Sequence, residues 1–222
     1  MGICSCSNNI FIDSNPRELC SVNINNAILK VIYGDILRET SQAIANPASS
    51  GLLNKIWNDA LILKAGSSLL DEVTSFSMKN GHLPVGSVFE TGPGNLGCKF
   101  VIHAVVPVYI DGNQGEKNYL MKTLWKILLK SVELKCTSVS IPQLSSGAFA
   151  FPREEGSDIM LKTITSFFEK NENSPLKEVR ILSTELASVN LLKKLMLKNF
   201  DLVKDGRLRC RSFGLEDIKI FE

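Results

Sequence analysis

The feature that most constrains the fold is a run of apolar residues at positions 100–106, nearly continuous in Val, Ile and Ala. A strand that is apolar on both faces is typical of a parallel sheet with helices on either side. Other strand-like runs alternate with segments of helical periodicity, which predicts an α/β fold. The strand-like runs cover residues 27–33, 42–45, 87–91, 138–141 and 178–183, and the helical segments cover residues 54–64, 69–78, 119–134, 152–171 and 188–198. In such sheets, ligands bind at the carboxyl ends of the strands.

A loop of small residues follows the run at 138–141 and leads into a predicted helix with Pro152 in its first position. The loop contains Ser145, Ser146, Gly147 and Ala148, whose small side chains let an anion approach the main chain closely. Free N–H groups and the helix dipole add partial positive charge where the helix begins. Phe149 is apolar, yet we expect it to face solvent or ligand. The pattern fits a phosphate-binding loop and an ordinary strand-to-helix turn equally well.

The composition narrows the range of functions. The chain has 222 residues, 44% of them hydrophobic, which predicts one globular domain with modest extensions. Its net charge of +2 gives no reason to expect nucleic acid as a partner. The two histidines and six cysteines lack metal-ligand spacing, so we expect neither a metal nor another cofactor. Without a secretory leader, the cysteines are expected to be reduced thiols in an intracellular protein of the cytoplasm or nucleus.

The first residues, MGICSCS, allow a lipid anchor. Gly2 is a candidate for myristoylation, and Cys4 and Cys6 are candidates for palmitoylation, which together would suffice for stable membrane attachment. The alternative is a disordered start with two incidental thiols. We expect residues 1–26 to form a flexible arm, residues 27–205 the folded domain, and residues 206–222 a C-terminal tail that adds a strand or packs without one. Membrane attachment is expected only if the N-terminus is acylated.

Six stretches, in this order and spacing, resemble the macro domain family, whose usual ligand is ADP-ribose. They are VIYGDI at 31–36, AIANPAS at 43–49, KAG at 64–66, PVGSVFETG at 84–92, NLGCKFVIHAV at 95–105 and the loop at 142–152. The resemblance covers about residues 28–200. It implies a three-layer α/β/α fold around a mixed central sheet.

The resemblance also implies roles for individual residues. Asp35 would accept a hydrogen bond from the adenine amino group, with the Ile36 N–H contacting the ring, although Asp35 could instead cap the turn after its strand. Asn46 would lie near the distal ribose, the ribose farther from adenine. The main chain of residues 145–149 would wrap the diphosphate and this ribose, and Phe149 would pack on the ribose unless it is a core aromatic. For His103 we favour a buried structural role over a catalytic one.

The chain departs from the pattern of the family's hydrolases at three places. Ser49 stands where a second asparagine is expected. The glycines of the next loop are replaced at residues 54–56, and bulky residues there would block close approach to one side of the diphosphate. Asn58 occupies the acidic position and cannot take a proton from water, which leaves the neighbouring Asp59 as the candidate general base.

Three functions remain open at this point. The first is a module that binds ADP-ribose, free or attached to proteins, with little or no chemistry of its own. The second is a hydrolase that removes ADP-ribose from modified proteins or acts on O-acetyl-ADP-ribose. The third is a degenerate macro fold that serves as a scaffold for protein interactions. The loss of the hydrolase residues favours the first.

Overall fold

A computed structural model describes residues 15–50, 55–144, 149–202 and 208–210 of the protein. The strands are β1 (Arg17–Ile24), β2 (Ala27–Tyr33), β3 (Ala43–Ala48), β4 (Val88–Thr91), β5 (Phe100–Val105), β6 (Ser138–Pro142), β7 (Glu178–Ser183), β8 (Phe200–Leu202) and β9 (Leu208–Cys210). The helices are α1 (Lys55–Ala65), α2 (Ser67–Asn80), α3 (Glu116–Glu133), α4 (Arg153–Lys170) and α5 (Leu186–Asn199), and a 3-10 turn spans Ile36–Arg38.

One mixed sheet runs through the centre of the domain in the order β1-β2-β7-β6-β3-β5-β4. Strands β2, β7, β6, β3 and β5 are parallel, whereas β1 and β4 pair antiparallel at the two edges. The carboxyl ends of the inner strands therefore meet at one edge of the sheet, which is where ligands bind in such folds.

Helices cover both faces of the sheet, as the apolar run at 100–106 predicts. Alternate residues of β5 serve the two faces: Ile102 belongs to the larger core, and Val101 belongs to the smaller one. The larger core contains apolar side chains of α3, α4 and α5, and the smaller core contains those of α1 and α2. The three-layer α/β/α architecture is confirmed.

Strands β3 and β6 separate towards their carboxyl ends. Their pairing covers Ala43 and Ile44, whereas β3 continues to pair with β5 as far as Ala48. Pro47 lies in this second half of β3 and has no N–H to donate to a neighbouring strand. The chain also leaves β3 and β6 towards opposite sides of the sheet, since β3 leads to β4 and β5 and β6 leads to β7. Such a switch point opens a crevice between the two strands.

Most predicted elements are confirmed within one to three residues at their ends, and β2 and β7 have the predicted bounds. The prediction of a flexible arm through residue 26 is wrong for β1, which forms an edge strand along β2. Val22 and Ile24 are buried, whereas the residue between them and those before them are more exposed. The segment can be polar and still form a strand because only one of its faces is buried. In the C-terminal region, β8 and β9 form a separate two-stranded ribbon.

A buried ion pair attaches the connection between β2 and β3 to the sheet. Glu39 follows the 3-10 turn and is 4% exposed. Its Oε2 accepts hydrogen bonds from Arg180 Nη1 at 2.7 Å and from Ser140 Oγ at 2.8 Å. The Arg180 guanidinium also contacts Glu178, its neighbour on β7. Because Glu39 lies four residues after Asp35, this network holds the turn that begins at Asp35 against the sheet.

Among the described residues, no helix is long and apolar enough to cross a membrane. The acylation candidates Gly2, Cys4 and Cys6 lie outside the described residues, as do most of the predicted arm and tail. The lipid anchor and the domain boundaries therefore stay predictions.

The buried ion pair generates a prediction about stability. Arg180→Met should lower the free energy of unfolding by about 2 to 4 kcal/mol, because it leaves the Glu39 carboxylate buried without its cation. Urea unfolding followed by circular dichroism measures this change. Lys162→Met is the control, since Lys162 pairs with Asp158 on the surface of α4 and should cost no more than about 0.5 kcal/mol. Equal losses in the two variants would contradict the role of the Glu39 pair.

Candidate functional site

The residues predicted to bind the ligand lie along the carboxyl edge of the parallel strands. Asp35 and Ile36 follow β2, Asn46 lies in β3, and the small-residue loop follows β6. Strands β2 and β3 are three positions apart in the sheet, with β7 and β6 between them. At the usual spacing between strands, the two ends of the candidate site are roughly 14 Å apart. The edge can therefore hold an elongated ligand laid across β7 and β6.

Asp35 caps the 3-10 turn at one end of this edge. Its Oδ1 accepts a hydrogen bond from the Leu37 N–H at 2.9 Å, and the carboxylate is partly exposed. The capping role considered from the sequence is therefore confirmed. Capping occupies one lone pair of a group that has about four, so it does not prevent Asp35 from accepting a ligand N–H as well.

Gly34 permits a close approach of the chain just before this cap. A Cβ atom at Gly34 would lie 2.7 Å from the Pro16 Cα atom, a contact that real side chains do not make. The Gly34 N–H donates to the carbonyl of Ser183 at the end of β7. The glycine thus lets β1 begin directly beside the Asp35 end of the site.

Both flanks of the small-residue loop are anchored. On the strand side, the Gln143 N–H donates to the Leu182 carbonyl at 2.7 Å, and its side-chain Nε2 donates to Ser157 Oγ at 2.8 Å. On the helix side, the Phe149 carbonyl accepts the Tyr109 N–H at 2.8 Å. The predicted anion ligands Ser145, Ser146, Gly147 and Ala148 lie between these anchors and outside the described residues.

Helix α4 starts one residue later than the position predicted for Pro152, and Phe149 is not exposed to solvent. Helix α4 begins at Arg153, with Pro152 as the residue before it, so four residues separate Ala148 from the first helical N–H group. The start of α4 also carries Glu154 and Glu155, which reduce its attraction for an anion. Phe149 does not face solvent: it is 4% exposed and packs in the larger core, as does Phe151. The core-aromatic alternative accounts for its burial, and its contact with a ribose stays a prediction.

Asn46 lies at the other end of the edge, in a chain of buried polar groups. Its amide Nδ2 is 3.1 Å from His103 Nδ1, and His103 Nε2 is 2.9 Å from Thr91 Oγ1. Asn46 and His103 are paired across β3 and β5, so the contact follows from the strand register. All three side chains are buried. The predicted structural role of His103 agrees with this arrangement, because both of its ring nitrogens have protein partners.

The His103 ring is held between packed groups and is kept neutral. Phe89 stacks on it with centroids 4.7 Å apart, and Phe76 stacks on Phe89 at 3.9 Å. Burial lowers the pKa of His103 to about 3, because a charged imidazolium would lose its hydration. Burial has the opposite effect on thiols and raises the pKa of Cys98 to about 11, in keeping with the packing role predicted for this cysteine.

The structure describes the candidate catalytic positions only in part. Ser49 follows β3 and is partly exposed, at the position where the hydrolases have their second asparagine. Asn58 and Asp59 lie in α1, but the positions of their side chains are outside the description. The described residues contain no group of three or more His, Cys, Asp or Glu side chains that could hold a metal ion.

The carboxylate of Glu116, a residue without a predicted role, organises the loop before α3. It accepts N–H groups from Ile110 and Gly112, each at 3.1 Å, and from Gln114 at 2.8 Å. Hydrogen bonds from backbone N–H groups, first its own and then those of the loop, lower the pKa of Glu116 to about 2. The same loop carries Tyr109, which anchors Phe149. The sequence signal for such a loop is the pair of glycines at 112 and 115, which lie shortly before the acidic residue Glu116.

The buried neutral histidine generates a prediction about pH. The pKa of His103 falls from 6.5 in the unfolded chain to about 3 in the folded one. The unfolded state therefore binds more protons between these values, and stability should fall as the pH is lowered through this window, by up to about 1.4 kcal/mol per pH unit. Urea unfolding between pH 7 and pH 5 should show this slope in the wild type and a flatter one in His103→Gln.

His82→Gln is the matched control, because His82 is exposed and is the other histidine of the chain. This variant should keep the slope of the wild type. A slope that survives in His103→Gln would mean that His103 is not the group responsible.

Comparisons with known proteins agree with this geometry. The macro domain family matches residues 45–160. A macro domain-containing protein of Listeria monocytogenes is 31% identical over 76% of this chain and 96% of its own length. O-acetyl-ADP-ribose deacetylase 1 of Pantoea vagans is 33% identical over 76% of this chain and 98% of its own length. A Thermotoga maritima protein is also 33% identical, and the match spans 28% of its length.

A solved structure shows the same fold. The Oceanobacillus iheyensis macrodomain with ADP superposes with a TM-score of 0.75 at 26% identity, over 82% of this chain and 96% of its own. A variant of that macrodomain has been solved with ADPR. The family match covers more than half of the 222 residues, and the relatives align over nearly their whole length in two cases. The chain therefore belongs to the macro domain family.

Proposed function

We propose that this protein binds ADP-ribose, free or attached to proteins, along the carboxyl edge of its parallel strands. The observation that carries the proposal is the placement of Asp35 and Asn46 at the two ends of this edge, with the anchored loop after β6 between them. Adenine would lie at Asp35, the diphosphate at residues 145–148, and the distal ribose at Asn46. The Oceanobacillus iheyensis macrodomain, which binds ADP and in a variant ADPR, supports this class of ligand.

The chemistry at Asp35 favours adenine over bases that carry a carbonyl at the same position. A carboxylate accepts hydrogen bonds and cannot donate them, so it attracts the amino group of adenine and repels a carbonyl oxygen. The 3-10 cap fixes one carboxylate oxygen on the Leu37 N–H. The carboxylate is thereby oriented before the ligand arrives, which lowers the entropy lost on binding.

Isothermal titration calorimetry with ADP-ribose, ADP and AMP tests the proposal. We expect ADP-ribose to bind more tightly than ADP, because only ADP-ribose carries the distal ribose. If a folded sample binds none of the three ligands, the proposal fails and the scaffold function takes its place.

Two substitutions at Asp35 separate ligand binding from capping. Asp35→Ala should weaken ADP-ribose binding about tenfold or more and also lower stability by about 1 kcal/mol, because it removes both the acceptor and the cap. Asp35→Asn retains a good capping residue but has only one carbonyl oxygen, so it should keep the stability and still lose affinity. Calorimetry gives the affinities and urea unfolding gives the stabilities. Unchanged affinity in both variants would remove Asp35 from the site.

A hydrolase is the second candidate, and the similarity to O-acetyl-ADP-ribose deacetylase 1 of Pantoea vagans favours it. In this reaction the water oxygen bonds to the acetyl carbon and the bond between that carbon and the ribose oxygen breaks; the ribose oxygen takes up a proton, and the acetyl group is released as acetate. Asp59 is the carboxylate available near the position where the hydrolases carry their acidic residue, and it would accept the proton of the water.

Release of acetate from O-acetyl-ADP-ribose, followed by chromatography, distinguishes the two candidates. A hydrolase should lose this activity in Asp59→Asn, keep it in Asn58→Ala, and bind ADP-ribose equally well in both variants. No turnover above the buffer rate in the wild type would refute the hydrolase and leave the binding module.

A further inference from the structure

A line of hydrogen bonds connects Asn46 to the backbone at the end of β4. Asn46 Nδ2 contacts His103 Nδ1 at 3.1 Å, and His103 Nε2 contacts Thr91 Oγ1 at 2.9 Å. Thr91 Oγ1 then contacts the carbonyl oxygen of Gly92 at 3.0 Å. Asn46, His103 and Thr91 are each no more than 4% exposed, so the two bonds that His103 makes are shielded from water, whereas the bond to Gly92 is partly buried.

The Gly92 carbonyl is the last group in this line, and it determines which atom donates in each of the other hydrogen bonds. The Gly92 carbonyl can only accept, so its 3.0 Å contact with Thr91 Oγ1 is a hydrogen bond only when the Thr91 hydroxyl donates its hydrogen there. Thr91 Oγ1 is then left to accept, and His103 Nε2 must carry the ring hydrogen. A neutral ring has a single N–H, so His103 Nδ1 is an acceptor and receives an N–H of the Asn46 amide.

If every hydrogen bond in the line ran in the opposite direction, Thr91 Oγ1 and the Gly92 carbonyl oxygen would face each other as two acceptors. If the Asn46 amide were turned round, its oxygen would face His103 Nδ1, and that nitrogen would need the ring hydrogen. His103 Nε2 would then take the hydrogen of the Thr91 hydroxyl, and Thr91 Oγ1 would face the Gly92 carbonyl oxygen at 3.0 Å with no hydrogen between these two acceptors. The stack of Phe76 and Phe89 on the imidazole also restricts any rotation of the ring that would exchange the two nitrogens.

We propose that Thr91 and His103 are positioning residues that hold the amide of Asn46 with its nitrogen towards His103 and its carbonyl oxygen away from it. The carbonyl oxygen is then the end that accepts a hydrogen bond from a hydroxyl of the distal ribose. This inference rests on the proposed binding of ADP-ribose. Thr91, a buried threonine at the end of an edge strand, would then act through Asn46 on the selection of a ligand that carries this sugar.

The inference predicts that Thr91 affects ADP-ribose and ADP differently. Thr91→Val keeps the shape of the side chain but cannot accept from His103 or donate to Gly92, so the direction of the line is no longer fixed. We expect the affinity for ADP-ribose to fall about tenfold, the effect of losing one good hydrogen bond, while the affinity for ADP stays within about twofold. Thr91→Ser, which restores the hydroxyl, should recover the affinity for ADP-ribose.

Calorimetry with the two ligands on the wild type and both variants measures this difference. A purely structural role of Thr91 would weaken ADP and ADP-ribose alike. Equal weakening of both, or no weakening of either, would overturn the inference.

Nitrogen NMR of the His103 side chain in the wild type tests the direction of the line without any substitution. We expect a neutral ring protonated at Nε2, with and without ligand. A ring protonated at Nδ1 would overturn the inference even if ADP-ribose binds as proposed. A folded wild type that binds no ADP-ribose would overturn the proposed function and the ribose contact with it, whereas the NMR result would still decide the tautomer.

Discussion

Strands β3 and β6 stop pairing after Ile44 and Ser140, and this separation determines where the candidate site lies. Up to that point the sheet is continuous, and beyond it β3 follows β5 while β6 follows β7. The space between them lies at the switch point of the sheet, where the chain leaves on opposite sides. Asn46 lies on one wall of this space, and the loop after β6 begins on the other. The residues that line the crevice are therefore those that follow the two paired residues of each strand.

Each part of the candidate site is held by polar groups placed in a mainly apolar interior. Burial of such groups is costly unless each has a partner, and the structure provides partners of fixed direction. Glu39 and Arg180 hold the turn at Asp35, Glu116 organises the loop that anchors Phe149, and His103 with Thr91 holds Asn46. Bonds of this kind contribute less to stability than apolar packing does, but they fix positions, which is what a ligand site requires.

The comparison of binding with hydrolysis depends on a different part of the chain. The turn at Asp35 and the flanks of the small-residue loop keep the residues that the family pattern implies. The segment between β3 and α1 does not, because Ser49 and Asn58 replace an asparagine and an acidic residue. Binding needs only groups that complement the ligand, whereas hydrolysis also needs a general base within reach of a water molecule. The two replacements affect the second requirement and leave the first untouched, so they favour the binding module that we propose over the hydrolase.

The fold class and most of the elements could be predicted from the sequence, because apolar periodicity and turn residues are local signals. The runs at 27–33 and 178–183 became strands with these bounds, and the order of motifs identified the family. It also indicated the structural role of His103 from its place in an apolar strand.

Tertiary structure decided the matters that depend on contacts between distant residues. Residues 17–24 look too polar for a folded strand, yet pairing with β2 and burial of Val22 and Ile24 make them one. Phe149 is expected from its place in the loop to face solvent or ligand, yet it is buried in the larger core. The link from Asn46 through His103 to Thr91 joins three strands, and no local pattern encodes it. Register and the direction of buried hydrogen bonds are set only when the strands meet, since they depend on which partner each group finds.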